Sequence, residues 1–365
     1  MSLKYDWHPA KSISRRRFTG FGCLVYCCGC EEQGPGDTNV AITLNNRALV
    51  TIYGGSGFIG RHVVRAIAKT GARMRIAVRR PELAGHLQPL GGVGQINAVQ
   101  ANVRFADSLL AAADGADAVV NLVGILFPSG KQSFKSVQDE GARHVAEAAK
   151  AAGARALVHV SAIGASADAL SVYARSKAAG EHAVKSVYAD AVILRPSIVF
   201  GPEDDFFNRF AALARIAPAL PLIGGGKTRL EPVFAGDVAK AVIAGLTGET
   251  VPSATYELGG PEVLTLKQVM QRVLDYTMRK RLLVPEPFWL AKLQGFFLQM
   301  LPTPPLTIDQ VRLLASDNVV SETARRSGHT LEGLGIEPVA IAAVVPDYLE
   351  QFRPRGQFSI YRPQP

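Results

Sequence analysis

Two groups of residues in this chain have the types and spacing for chemistry. The stretch "SVYARSKAAGE" places Tyr173 and Lys177 at i and i+4, on one face if the segment is helical. An ammonium beside a phenol lowers the phenol's pKa, and a tyrosine so tuned can exchange a proton with a carbonyl while a nicotinamide moves a hydride. The stretch "IYGGSGFIGRHVV" puts Gly54, Gly57 and Gly60 at a spacing of three, after an apolar run and before a helical one. At a strand-to-helix turn the first glycine permits the tight backbone, the second lets the main chain touch a pyrophosphate, and the third lets helix and strand pack closely. The pyrophosphate then lies on the helix N-terminus, where unsatisfied N–H groups and the dipole favour negative charge. Glycines serving tight packing alone are the competing reading, and the strand before and helix after them favour the dinucleotide. Ser56, Phe58 and Ile59 share this turn.

The residues after the second strand select the dinucleotide. An NAD site usually carries Asp or Glu there, roughly 20 residues after the glycines, whereas this chain has Arg79 and Arg80. An arginine pair suits a 2′-phosphate, so NADP(H) is expected over NAD(H); an arginine pair that merely faces solvent is the alternative. Asn102 and Val103, after the third strand, are expected to flank the adenine. Leu122, Val123, Gly124 and Pro196 complete the expected cofactor-binding set.

Positioning these groups requires a sheet with its strand ends on one edge. Apolar β-type runs recur at 48–53, 74–78, 96–101, 118–124, 156–161 and 190–201. Helical pieces alternate with them. One carries Ile59, Val63 and Ile67 on a stripe and ends near Gly71, one starts at Asp107 as N-cap, and one runs from about Phe134 to Ala152. Continuous apolar strands alternating with helices predict an α/β fold, a doubly wound parallel sheet of Rossmann type. The rhythm loosens after Gly201, which predicts a smaller C-terminal lobe. The expected organisation is a leader at 1–44, a cofactor-binding domain at 45–260 with part of the lobe from about 201, and a lobe and tail at 261–365. The helix predicted within "PFWLAKLQGFFLQML" is apolar around most of its circumference, as in a buried helix or a docking face for a membrane or a partner.

The motifs "GGSGFIG", "NLVG", "VHVSA", "YARSK", "LRPSIVFGPED" and "PVFAGDVAKA" resemble the short-chain dehydrogenase/reductase superfamily in its extended or atypical branch, over roughly Leu49 to Gly260. That resemblance implies a hydroxyl near the end of the fifth strand, for which Ser161 is the candidate; the extended branch places it about two residues on, where this chain has Ile163. Lys177 would bind nicotinamide ribose hydroxyls, and Tyr173 would donate a proton or only bind. "GGVGQI", "AVVNLVGI", "RPSIVFGPEDDFFNRF" and "LTIDQVRLLASDNVVS" extend the likeness, over most of Leu49 to Phe358, to the nucleotide-binding accessory subunits of respiratory complex I (alpha subcomplex subunit 9) and their bacterial homologues. This closer resemblance implies a tightly held NADPH of mainly structural or regulatory use and complex I subunits as partners. An active NADP-dependent reductase, epimerase or dehydratase is the second reading.

The bulk composition agrees with a packed domain: 365 residues, 48% hydrophobic, with a formal net charge of +9. The positive balance favours anionic partners. Lys and Arg are spread along the chain without an aromatic-rich basic block, so nucleic acid is not expected. All four cysteines, Cys23, Cys27, Cys28 and Cys30, lie in the leader, which leaves the body without a disulfide framework or thiolate metal site. Ser14–Phe18 resembles a twin-arginine export signal followed by an apolar stretch too short to span a bilayer. Use of a nicotinamide cofactor argues instead for the cytoplasm, and the resemblance to complex I accessory subunits implies peripheral association at the cytoplasmic face of the inner membrane.

Overall fold

The structure, a computed structural model, describes residues 42–302 and 304–356. The cysteines and the Ser14–Phe18 run lie outside the described residues. Six parallel strands follow the expected runs: β1 Leu49–Tyr53, β2 Arg73–Val78, β3 Ile96–Gln100, β4 Ala118–Asn121, β5 Ala156–Val160 and β6 Val192–Pro196. A seventh, β7 Thr255–Leu258, was not among the expected strands and pairs in parallel with β6. The sheet order β7-β6-β5-β4-β1-β2-β3 reverses direction between β1 and β4. In such a sheet the crevice outside the carboxyl ends at the reversal is where ligands bind.

Burial on both faces explains why these runs are nearly all apolar. Val50 and Ile52 face a core shared with α1 (Phe58–Ala68) and, later in the chain, α6 (Ala235–Thr247). Tyr53, Val119, Leu157 and Ile193 face the opposite core, shared with α2 (Ala106–Ala113), α3 (Glu140–Ala151) and α4 (Val172–Val187). Two polar groups caught in these layers are satisfied: the Thr51 hydroxyl donates to the Ala112 carbonyl at 3.0 Å and the Tyr53 hydroxyl to the Leu109 carbonyl at 2.6 Å.

Four local expectations change. Asp107 is not an N-cap: α2 starts at Ala106 after Phe105, leaving Asp107 inside the first turn, where its charge still suits the dipole. Gly71 has φ +85° but follows the C-cap, Lys69, by two residues. The helix expected from Phe134 to Ala152 opens with a π-turn over Lys135–Asp139 before α3. That wide turn carries Gln138 against α4, where a Cβ on Gly180 would lie 2.1 Å from the Gln138 carbonyl oxygen. The run at 190–201 is cut after Pro196; Val199–Phe200 leaves the sheet and pairs with Val233–Phe234.

Beyond the sheet, α5 (Phe206–Ile216) and α7 (Leu266–Tyr276) enclose a separate core of Phe200, Phe207, Leu222, Leu264 and Val273. The chain then returns past residue 260: the Glu257 N–H donates to the His329 carbonyl at 3.0 Å, and Leu331 belongs to the core under β1. The apolar helix α8 (Phe288–Leu298) is not buried. Among its residues only Ala291 and Gly295 are covered, while Trp289 and Phe297 are 68% and 62% exposed. A short helix α9 (Ile308–Leu313), begun by a Thr307–Gln310 capping box, packs against α8 at Gly295. Among the described residues no helix is long and apolar enough to cross a membrane.

A Cβ at position 60 would sit 2.5 Å from the carbonyl carbon and oxygen of Gly55, so Gly60→Ala forces the start of α1 away from the turn that follows β1. Gly60→Ala is expected to cost about 3 kcal/mol or to abolish folding. Gly57→Ala, whose Cβ meets nothing nearer than 3.4 Å, should stay within about 1 kcal/mol of wild type in denaturant melts.

Candidate cofactor site

The glycine turn divides its work among three positions. Gly54 has φ +81°, and a Cβ there would press 3.2 Å from the backbone nitrogen of Val123. Gly60 allows the helix-on-turn contact just described. Gly57 is the N-cap of α1, is exposed, and makes no side-chain capping bond; the first turn of α1 carries no acidic residue. Its main chain is therefore approachable, and the N–H groups of the first turn, which include Phe58 and Ile59, are those an anion would take. Ser56 lies beside them, half-buried.

Arg79 and Arg80 follow β2 directly, and both are exposed. Among the described residues neither guanidinium holds an ion pair. Asn102 stays at the end of β3, its Oδ1 accepting the Arg104 N–H at 3.2 Å and its own N–H donating to Ser108 Oγ. The Val103 side chain is buried against Gly141 of α3, which leaves its backbone at the edge. Leu122, Val123 and Gly124 continue from β4, with the Leu122 N–H donating to Tyr53 and the Val123 N–H to Asn121 Oδ1. Pro196 ends β6, its carbonyl accepting the Ile163 N–H at 3.0 Å.

At the far end of the crevice, α4 brings Tyr173 and Lys177 to one face. The Tyr173 ring stands edge-on to Phe134 at 6.1 Å, and burial pushes its phenol up to about 12. Lys177 is buried, and its Nζ donates to the Val160 carbonyl at 3.2 Å. Burial lowers the ammonium to about 8, with Glu181 acting in the opposite direction. A Cβ on Gly124 would come 3.2 Å from that Nζ, so the Lys177 side chain reaches the loop after β4. Ser161 is buried with an Oγ that takes no hydrogen bond among the described residues. Ile163 packs with Val320 and Ala324.

Several polar residues at this edge escaped sequence reasoning. Asn121 and His159 face each other across β4 and β5, Nδ2 to Nδ1 at 3.1 Å. Burial lowers His159 to about 3, so its neutral ring accepts the amide proton. Gln138 donates to the Ile125 carbonyl at 2.8 Å and accepts from the Ser176 hydroxyl, which ties the loop after β4 to α4. An isolated polar residue inside an apolar strand run is the signal that would have found the first pair. Gln138 has no such signal, because the π-turn that aims it depends on contact with Gly180.

The model of the NAD dependent epimerase/dehydratase family matches residues 50–259. The chain belongs to this family. Within and beyond its span, the chain is 32% identical over 320 residues to the mitochondrial NADH dehydrogenase (ubiquinone) 1 alpha subcomplex subunit 9 of Arabidopsis thaliana, covering 84% of this chain and 79% of that protein. It is 35% identical over 198 residues to the ceramide reductase of Caulobacter vibrioides, covering 54% of this chain and 61% of that protein. Among solved structures, the Escherichia coli quinone oxidoreductase QOR2 complexed with NADPH superposes with a TM-score of 0.64 at 18% identity, covering 82% of this chain and 99% of that one. The family implies a nicotinamide dinucleotide, and the residues present fit one. Gly57 leaves a cradle that a Cβ would narrow, the start of α1 is uncapped, and Lys177 holds a buried cation with a single protein acceptor.

That cation makes the apo protein's stability depend on pH. Below pH 8 both folded and unfolded chains carry the Lys177 proton, and the folded one bears the cost of burying it. Between about 8 and 10.5 the folded state has released a proton that the unfolded state retains, so stability rises with pH across that window, by a total on the order of 3 kcal/mol. Lys177→Met should flatten the rise in denaturant melts collected from pH 7 to 11.

Proposed function

We propose that this chain is an accessory or assembly subunit of a respiratory NADH:quinone oxidoreductase, complex I, and that it holds NADP(H) mainly as a structural element. One observation carries the reading: the nucleotide-holding half of the crevice is open and cationic, while the proton-transfer half is incomplete. Ile163 occupies the place expected for the third hydroxyl and is spent on packing. Burial raises the Tyr173 phenol to about 12. Similarity to the Arabidopsis subunit across 84% of this chain supports the same reading.

When bound, NADP(H) would supply a hydride donor or acceptor; the chain's contribution is to grip it. The first turn of α1 would take the pyrophosphate through its N–H groups, Arg79 and Arg80 the 2′-phosphate, and Lys177 the nicotinamide ribose hydroxyls. Charge-assisted contacts of the arginine type contribute about 1.5 to 3 kcal/mol each. The exposed apolar face of α8 provides a surface for complex I partners or the adjoining membrane interface. This fits a peripheral place on the cytoplasmic side of the inner membrane. The second reading, an active NADP-dependent reductase, epimerase or dehydratase, is favoured by Tyr173 and Lys177 sharing one face of α4.

Arg79→Asp is expected to weaken NADPH binding about 10- to 100-fold, as measured by calorimetry, and to leave NADH binding nearly unchanged; equal losses would remove the 2′-phosphate assignment. The role itself is tested by affinity purification from mildly solubilised membranes, followed by mass spectrometry. Core complex I subunits should accompany the wild type and the Tyr173→Phe variant alike. A protein recovered without them, and with an NADPH-dependent activity that Tyr173→Phe abolishes, would establish the enzyme reading instead.

A further inference from the structure

The two helices that meet the crevice treat their N-termini in opposite ways. The first turn of α1 is left without a capping side chain. That of α4 is filled by a carboxylate from the far end of the chain. Asp309, on α9, accepts the Val172 N–H through Oδ1 at 2.8 Å, and through Oδ2 the Tyr173 N–H at 3.0 Å and the Ser171 hydroxyl at 2.7 Å. The Ser171 Oγ in turn accepts the Ala174 N–H at 3.3 Å. The first three N–H groups of α4 are thus all satisfied by Ser171 and Asp309, with an anion seated at the positive end of the helix dipole. Asp309 itself is held in place. Thr307 and Gln310 start α9 with a capping box, Gly295 of α8 lies so close that a Cβ would be 3.0 Å from the Ile308 nitrogen, and Arg312 Nη1 stands 3.9 Å from Oδ1.

We propose that Asp309 is a positioning residue for the cofactor site: it fixes the first turn of α4, and with it Tyr173 and Lys177, against the nicotinamide end of the dinucleotide. Tyr173 is itself one of the clamped amides, and Lys177 lies one turn on, so a frayed first turn displaces the phenol directly and the ammonium through it. The adenine end is held by α1 and the end of β2, which Asp309 does not touch. The loss of Asp309 should therefore separate the two halves of the ligand. This inference rests on the NADP(H) reading, and the test distinguishes the two.

Wild type, Asp309→Ala, Asp309→Asn and Ser171→Ala are titrated with NADPH and with adenosine 2′,5′-bisphosphate, which carries the 2′-phosphate but no nicotinamide. Amide exchange is followed across α4. For Asp309→Ala the expected result is about a 10-fold weaker NADPH affinity, the scale of one or two lost charge-assisted bonds, with bisphosphate affinity unchanged and faster exchange at Val172 and Tyr173. Asp309→Asn and Ser171→Ala, which retain part of the clamp, should fall between, and they carry the test if the alanine variant does not fold. Equal losses for both ligands, or no loss of NADPH affinity in any variant, would overturn the proposal. A wild-type protein that binds neither ligand would instead overturn the cofactor reading.

Discussion

The approach of α1 to the turn after β1, where Gly60 meets the backbone of Gly54 and Gly55, is the contact on which the rest of the crevice depends. A backbone-to-backbone distance that leaves no room for a Cβ sets where the helix begins, and so which N–H groups point past the strand ends. Gly54, with its left-handed φ and its closeness to Val123, then locks the same turn to the end of β4. Because the neighbouring strands are parallel and covered by helices on both faces, their carboxyl ends form the open edge between the layers. Every polar group of the candidate site lies along that edge.

Burial gives the other end of the crevice its character. Lys177, Tyr173 and His159 sit where the low-dielectric interior disfavours charge, and each shifts toward its neutral form. The side chains that organise them do so through hydrogen bonds: Gln138 between the loop after β4 and α4, Asn121 beneath it, and Asp309 at the start of α4. Such a network suits a rigid grip on a ligand. The C-terminal elements, although they build a core of their own, contribute to this grip through Asp309 and to the sheet through Leu331.

Much of the fold was legible because its signals are local. Apolar runs gave six strands, and the glycine triplet and the Arg79–Arg80 pair lie within a few residues of the elements that position them. The misses share a physical cause. β7 has four residues and no long run, and the π-turn lies where α4 packs closely on Gln138 at Gly180. The apolar composition of α8 suited a buried helix as well as a docking face, since composition does not tell which neighbours cover a surface.

The sequence by itself determined the parallel sheet, the glycine turn between β1 and α1 and the arginines after β2, because each follows from residues adjacent in the chain. Only the tertiary structure decided that Lys177 is buried, that Ile163 is spent on packing and that Asp309 clamps the helix bearing Tyr173. These depend on contacts between distant segments, and neither periodicity nor spacing along the chain records which segments will meet.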